Sequence, residues 1–259
     1  MSDVGWGGYL ARFHSENAGI TERVLSRLDG SPYQWLVAPL ADTTGWIVDL
    51  ACGSAPTRDY LADHRWVGID LSQQELGAAA AAGRGPVVRA RADAVPIADG
   101  SAAAVCAAMA LQVLTPLADV LAEIKRILQP GGLLVALVPL RRTHLPAGWL
   151  RWVQVLRVLR VTSLPWPNPD ACDDLPSALA HYGYTTVSSE RRTFWFALDT
   201  PEAARLLLRS LYLPDVGPER IAAAEHWLES HARAGRRILV PLKRIVAHAD
   251  IPSQIVMPV

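Results

Sequence analysis

Two patterns of apolar and polar positions alternate along this 259-residue chain. Short apolar runs read as strands, and between them apolar residues recur at helical spacing. "WIVDL" (46–50) is the first run. Pro56 follows at a favourable first helical position, and "TRDYLADH" continues as a helix. "WVGID" (66–70) is a second strand. "SQQELGAAAAAG" begins with Ser72 and carries Glu75 three residues later, the spacing of a capping box. "PVVRARAD" and "AAAVCAAMAL" read as the third and fourth strands. "PLADVLAEIKRIL" is an amphipathic helix, "QPGG" a turn, and "LLVALVPL" a fifth strand, apolar throughout as a strand covered on both faces should be. "TTVSSERRTFWFAL" and "RILVPLKRIVAHA" read as a final antiparallel pair. Upstream, residues 16–40 read as helices broken near "DGSP".

Strands alternating with helices over 46–140 predict an α/β fold with a doubly wound parallel sheet. Such sheets bind ligands beyond the carboxyl ends of their strands. Asp49, Asp70 and Asp93 lie at or just after three consecutive strand ends. The stretch "IVDLACGSAP" would turn backbone N–H groups toward a ligand. Phosphate loops do not fit it: GxxxxGK[ST] and GxGxxG are both missing, and Gly53 is its one glycine. An acid at Asp49 would also repel a pyrophosphate, so the ligand should carry a positive or neutral group there.

With these motifs in order, the chain resembles the class I S-adenosylmethionine-dependent methyltransferases. The resemblance covers roughly 46–140 and rests on "VDLACGSAP", "GIDLS", "RADAVPIADGS", "AAMALQVL" and "LQPGGLLVALVP". It implies a Rossmann-like seven-stranded sheet with an antiparallel last pair and helical cap insertions. S-Adenosylmethionine would be the cofactor and S-adenosylhomocysteine the product. The implied cofactor-binding residues are Tyr9, Asp49, Ala51, Cys52, Gly53, Asp70, Leu71, Asp93, Ala94 and Met109. Asp70 would accept from the ribose hydroxyls and Asp93 from the adenine amino group. Ala51 and Ala55 stand where the family usually has glycine, which demands negative φ or accepted strain.

Composition narrows the partners. Formal net charge is zero and the pI is about 7.1, so no basic excess points to nucleic acid. Cys52, Cys106 and Cys172 are too far apart for a CxxC site and fit a reducing cytoplasm. The expectation is therefore a cytoplasmic enzyme without a signal peptide, membrane span or metal, with a small-molecule partner and a homodimer as one possible assembly.

The core does not choose the substrate; added segments do. Residues 1–40 would form an N-terminal cap on a domain spanning 41–259, with lid insertions at about 141–172 and 200–235. The first insertion is rich in tryptophan, and Trp149, Trp152 and Leu156 fall on one helix face. Packing of a lid helix onto the core is the leading reading; an apolar wall for a flat or hydrophobic acceptor is the second, and a membrane-surface helix with Arg151, Arg157 and Arg160 the third. Gln112 could orient an acceptor, and His14 and His144 are the candidate general bases. The leading expectation is O- or C-methylation of a small molecule of the natural-product, glycan or lipid-like kind. The alternatives are a cyclase or lyase on the same fold, or a non-catalytic binder of the cofactor.

Overall fold

The computed structural model describes residues 3–141 and 146–250. Helices α1 (Asp3–Glu16), α2 (Ile20–Leu25) and α3 (Pro32–Val37) precede strand β1 (Trp46–Leu50). Strand β2 (Arg65–Asp70), helix α4 (Gln73–Ala81), and strands β3 (Val87–Arg89) and β4 (Ala102–Ala108) follow. Helix α5 (Leu117–Ile127) leads into β5 (Leu128–Pro139), then α6 (Pro146–Leu159), α7 (Pro169–Asp173) and α8 (Leu175–His181). The chain closes with β6 (Tyr184–Ala197), α9 (Pro201–Arg209), α10 (Pro218–His231) and β7 (Arg237–Ala249).

The seven strands form one sheet in the order β3-β2-β1-β4-β5-β7-β6, with β7 antiparallel to both neighbours. Successive side chains of a strand point to opposite faces, and the central strands divide accordingly. Ile47, Trp66, Ala104, Cys106, Val135 and Leu137 face the layer built from α3, α4, α6, α9 and α10. Val48, Val67, Val105, Leu134, Ala136 and Val138 face the layer of α5, α7 and α8. In α5 the buried residues Val120, Leu121, Ile124 and Ile127 make the single apolar stripe that its sequence spacing predicts.

Two local expectations change. After Pro56 there is only a short 3₁₀ turn, Pro56–Tyr60. The Arg58 guanidinium donates to the carbonyls of Leu61 and His64 and holds the following residues in turns instead of a longer helix. "QPGG" lies within β5 as an irregularity: Ala102 pairs with Leu128 while Ala104 pairs with Leu133. Gly131, at φ 77°, takes the left-handed conformation this bulge needs.

Gly68 in β2 is required by close approach. A Cβ there would lie 2.5 Å from the Trp66 ring and 2.7 Å from Cys52 Sγ, both of them buried side chains. Gly68→Ala should therefore cost about 1–3 kcal/mol by overpacking, read as a lower urea midpoint at unchanged slope. A midpoint equal to wild type would show that the strand has room it is not seen to have.

Candidate active site

The loop after β1 rises and falls through left-handed backbone. Ala51, Gly53 and Ala55 have φ of 54°, 55° and 57°. For the two alanines this is strained, at roughly 1–2 kcal/mol each, so surrounding bonds must hold the loop. Cys52 N–H donates to Ile69 O at 3.0 Å, and Gly53 N–H donates to Asp70 Oδ2 at 2.8 Å. The Ser54 hydroxyl donates to Glu22 of α2 at 2.6 Å. Arg84 reaches Glu22, Asp59 and the Ser54 carbonyl together.

A chamber of about 420 Å³ opens beyond this loop at the carboxyl ends of β1, β2 and β4. Ala51, Cys52, Gly53, Asp70, Leu71, Asp93 and Met109 all line it. Asp70 is pushed upward by burial and held down by N–H groups of Ser72 and Gly53. Asp93 forms a forked pair with Arg91, at 2.8 and 2.5 Å, which lowers its carboxyl. Cys52 is buried, and burial raises its thiol well above the usual range, in keeping with packing and not nucleophilic chemistry.

Three expected cofactor contacts lie elsewhere. Asp49 is fully buried beneath the loop, outside the chamber wall, where it accepts from the Thr57 hydroxyl. Its role here is to anchor the loop from below. Ala94 is also outside the wall, and its N–H donates to Arg91 O at 3.3 Å to close a turn. Tyr9 is off the wall because α1 turns a different face to the chamber. Gly7, Leu10, Ala11 and His14 point in. Trp6, Tyr9 and Phe13 instead form an aromatic cluster, with Tyr9 Oη accepting from Leu213 N–H at 2.9 Å.

His14 does reach the chamber, with both ring nitrogens engaged: Nδ1 lies 2.8 Å from Glu75 Oε1 and Nε2 3.0 Å from Tyr212 Oη. It therefore has no free nitrogen for an acceptor. The second candidate base, His144, lies outside the described residues. Glu75 departs from a full capping box. Its backbone N–H donates to Ser72 Oγ, but its carboxylate turns away to His14 and to Gly19 N–H. Nothing in the sequence marked Tyr212; it and Trp227 are the two Tyr, Trp or Phe residues of the second insertion. Glu75 carried a signal, but one already explained by helix capping.

A second chamber of about 520 Å³ adjoins the first. Trp149, Trp152 and Leu156 of α6 line it together with Trp166, Leu207 and Leu211, so both insertions contribute to this wall. Gln112 borders it and donates to Met109 O at 2.6 Å. Thr21, Met109 and Tyr212 line both chambers. Among the described residues no group of three or more metal-ligating side chains gathers, and no helix is long and apolar enough to cross a membrane.

The sheet order, with its antiparallel last pair, is that of a Rossmann-like α/β fold, and the loop after β1 and the acids Asp70 and Asp93 stand at its strand ends. Residues 48–136 match the family model described as a methyltransferase domain. A curated relative, the malonyl-acyl-carrier-protein O-methyltransferase of Alcanivorax borkumensis, is 36% identical over 115 residues. That match covers 40% of this chain and 39% of the relative. Among solved structures, the cyclase SpnF aligns with a TM-score of 0.60 at 17% identity, covering 93% of this chain and 95% of that one. A protein of Bacillus halodurans C-125 assigned to the methyltransferases gives 0.58 at 17% identity, covering 84% and 98%. Phosphoethanolamine N-methyltransferase 2 of Haemonchus contortus, solved with S-adenosylhomocysteine, gives 0.55 at 14% identity, covering 94% of this chain and 59% of that one. At these identities the structural likeness is one of fold.

Asp49 makes the loop anchor testable by pH. Burial pushes its carboxyl from 3.8 up to about 7, with the Thr57 hydroxyl and the Cys106 thiol opposing. Between those values the folded chain holds a proton that the unfolded chain lacks. The contribution to stability is full below about 3.8 and is lost as pH rises through about 7. The gap corresponds to roughly 4 kcal/mol at most. Wild type should thus lose stability against Asp49→Asn as pH rises across this range, in urea titrations of both proteins. Parallel pH profiles would sink the assignment.

Proposed function

We propose that the chain is a methyltransferase that holds S-adenosylmethionine in the first chamber and an apolar small molecule in the second. The observation that carries this reading is the shared wall: Thr21, Met109 and Tyr212 border both spaces, so two ligands can meet there. The cofactor, when bound, supplies a methyl group on a positively charged sulfur, open to in-line attack. The protein has to align the acceptor with it and exclude water, and alignment alone can supply roughly 7 kcal/mol or more of the acceleration.

The residues present fit that cofactor. Asp70 keeps lone pairs free beyond its two N–H bonds and is the acceptor for two neighbouring hydroxyls. Asp93 suits an amino group, and Ala51 to Gly53 let the chain approach closely. Glu75, with Asp70, gives the chamber the negative charge a sulfonium and an ammonium call for. The acceptor chamber is walled by three tryptophans and several leucines, which favours a flat or hydrophobic molecule and O- or C-methylation of it.

Calorimetry with S-adenosylhomocysteine tests the cofactor assignment. Asp70→Ala should lose about 1.5–3 kcal/mol, which is roughly ten- to 150-fold in affinity. Unchanged affinity would refute it. The cyclase alternative separates in turnover: incubation with substrate extract should release S-adenosylhomocysteine, and product formation without that release would overturn methyl transfer.

A further inference from the structure

The wall between the chambers carries a hydrogen-bonded chain drawn from three elements. Glu75, in the first turn of α4, is buried, with Oε1 on His14 Nδ1 at 2.8 Å and Oε2 accepting from Gly19 N–H at 2.9 Å. A carboxylate can only accept, so neutral His14 carries its proton on Nδ1 and leaves Nε2 as an acceptor. Tyr212, in the loop between α9 and α10, lies 3.0 Å from that nitrogen and donates its phenol proton to it. The phenol oxygen also takes a side-chain hydrogen bond from Thr21, which lines both chambers with it, and keeps one further lone pair for another donor. His14 lines the cofactor chamber alone, whereas Tyr212 lines both.

From this geometry we infer that Tyr212 is the group that meets the acceptor, with His14 behind it as proton sink and Glu75 as the positioning residue, so that the acceptors are flat, apolar molecules carrying a hydroxyl. The inference rests on the methyl-transfer reading above. In the step, the acceptor's O–H proton passes to the Tyr212 oxygen while the Tyr212 proton passes to His14 Nε2. The acceptor oxygen bonds to the methyl carbon, the carbon–sulfur bond breaks, and its electron pair remains on sulfur. Tyr212 gives one proton as it takes another, so no tyrosinate accumulates; burial, which raises its phenol, disfavours one. The imidazolium that forms faces Glu75 from α4, and Asp70 at the end of β2 is close enough to interact with its charge. With Tyr212 itself, these are the titratable groups identified around His14. The flat shape follows from Trp149, Trp152 and Trp166 in the acceptor wall.

The probe is 4-nitrophenol, whose ionisation is visible in its absorbance, added at mildly acidic pH to protein saturated with S-adenosylhomocysteine. Wild type should bind it and ionise it about tenfold more than free solution does, one unit of apparent pKa. Tyr212→Phe, which keeps the ring, and His14→Gln should each remove that excess, and Glu75→Gln should reduce it. Failure to bind the probe, no excess ionisation, or an excess kept by Tyr212→Phe or His14→Gln would overturn the inference. Thermal melts show which variants fold, and any one that does carries the test. Calorimetry on the same samples separates the two readings. Wild type that fails to bind S-adenosylhomocysteine sinks the proposed function, whereas wild type that binds it yet leaves the probe unionised sinks only the relay.

Discussion

Asp70 Oδ2 accepts from Gly53 N–H and Oδ1 accepts from Ser72 N–H, both at 2.8 Å, and much of the site hangs from these two bonds. One ties the strained loop after β1 to the end of β2. The other fixes the residue that caps α4. Because α4 starts where it does, Glu75 falls beside Gly53, within reach of both Gly19 N–H and His14. Helix α1 is then held over the chamber by His14 at one end and, near the other, by Trp6, whose indole N–H donates to Val113 O at 2.9 Å. A single carboxylate therefore links the loop after β1 to the roof above it.

The sheet was legible because its signals are local and repeated. "WIVDL", "WVGID" and "LLVALVPL" are buried on both faces and flanked by helices whose stripes match them. Much of the first chamber's wall was legible for a related reason: strand ends converge, so Asp70, Asp93 and the loop residues need only sit at those ends. Where reading failed, the missing fact was an orientation. Tyr9 and His14 share one helix, yet only His14 faces the chamber, since Gly7, Leu10, Ala11 and His14 keep helical step and Trp6, Tyr9 and Phe13 keep the adjacent one. Asp49 occupies the expected strand end, but the loop that follows closes over it.

The second chamber shows another limit. Its walls come from α2, the ends of β4 and β5, α6, α9 and the loop beyond it, and β7, segments separated by up to about 220 residues. The tryptophan spacing in α6 carried a hint, and Trp152 is fixed by its indole N–H donating to Leu239 O at 2.7 Å. Tyr212 carried none. It lies in an irregular stretch, and only the meeting of α1, α4 and that loop brings it to His14.

Sharing three side chains between two chambers has a thermodynamic consequence. Whatever fills one space presses on Thr21, Met109 and Tyr212, and Met109 already holds a left-handed backbone at φ 56°. Occupancy of one chamber then resets the affinity of the other, and linkage requires the effect to be equal in both directions. On the proposed reading, a tight acceptor would tighten the hold on the cofactor by the same factor, and a spent cofactor would change the hold on the product equally. Two ligands placed there would be, in effect, each other's regulators.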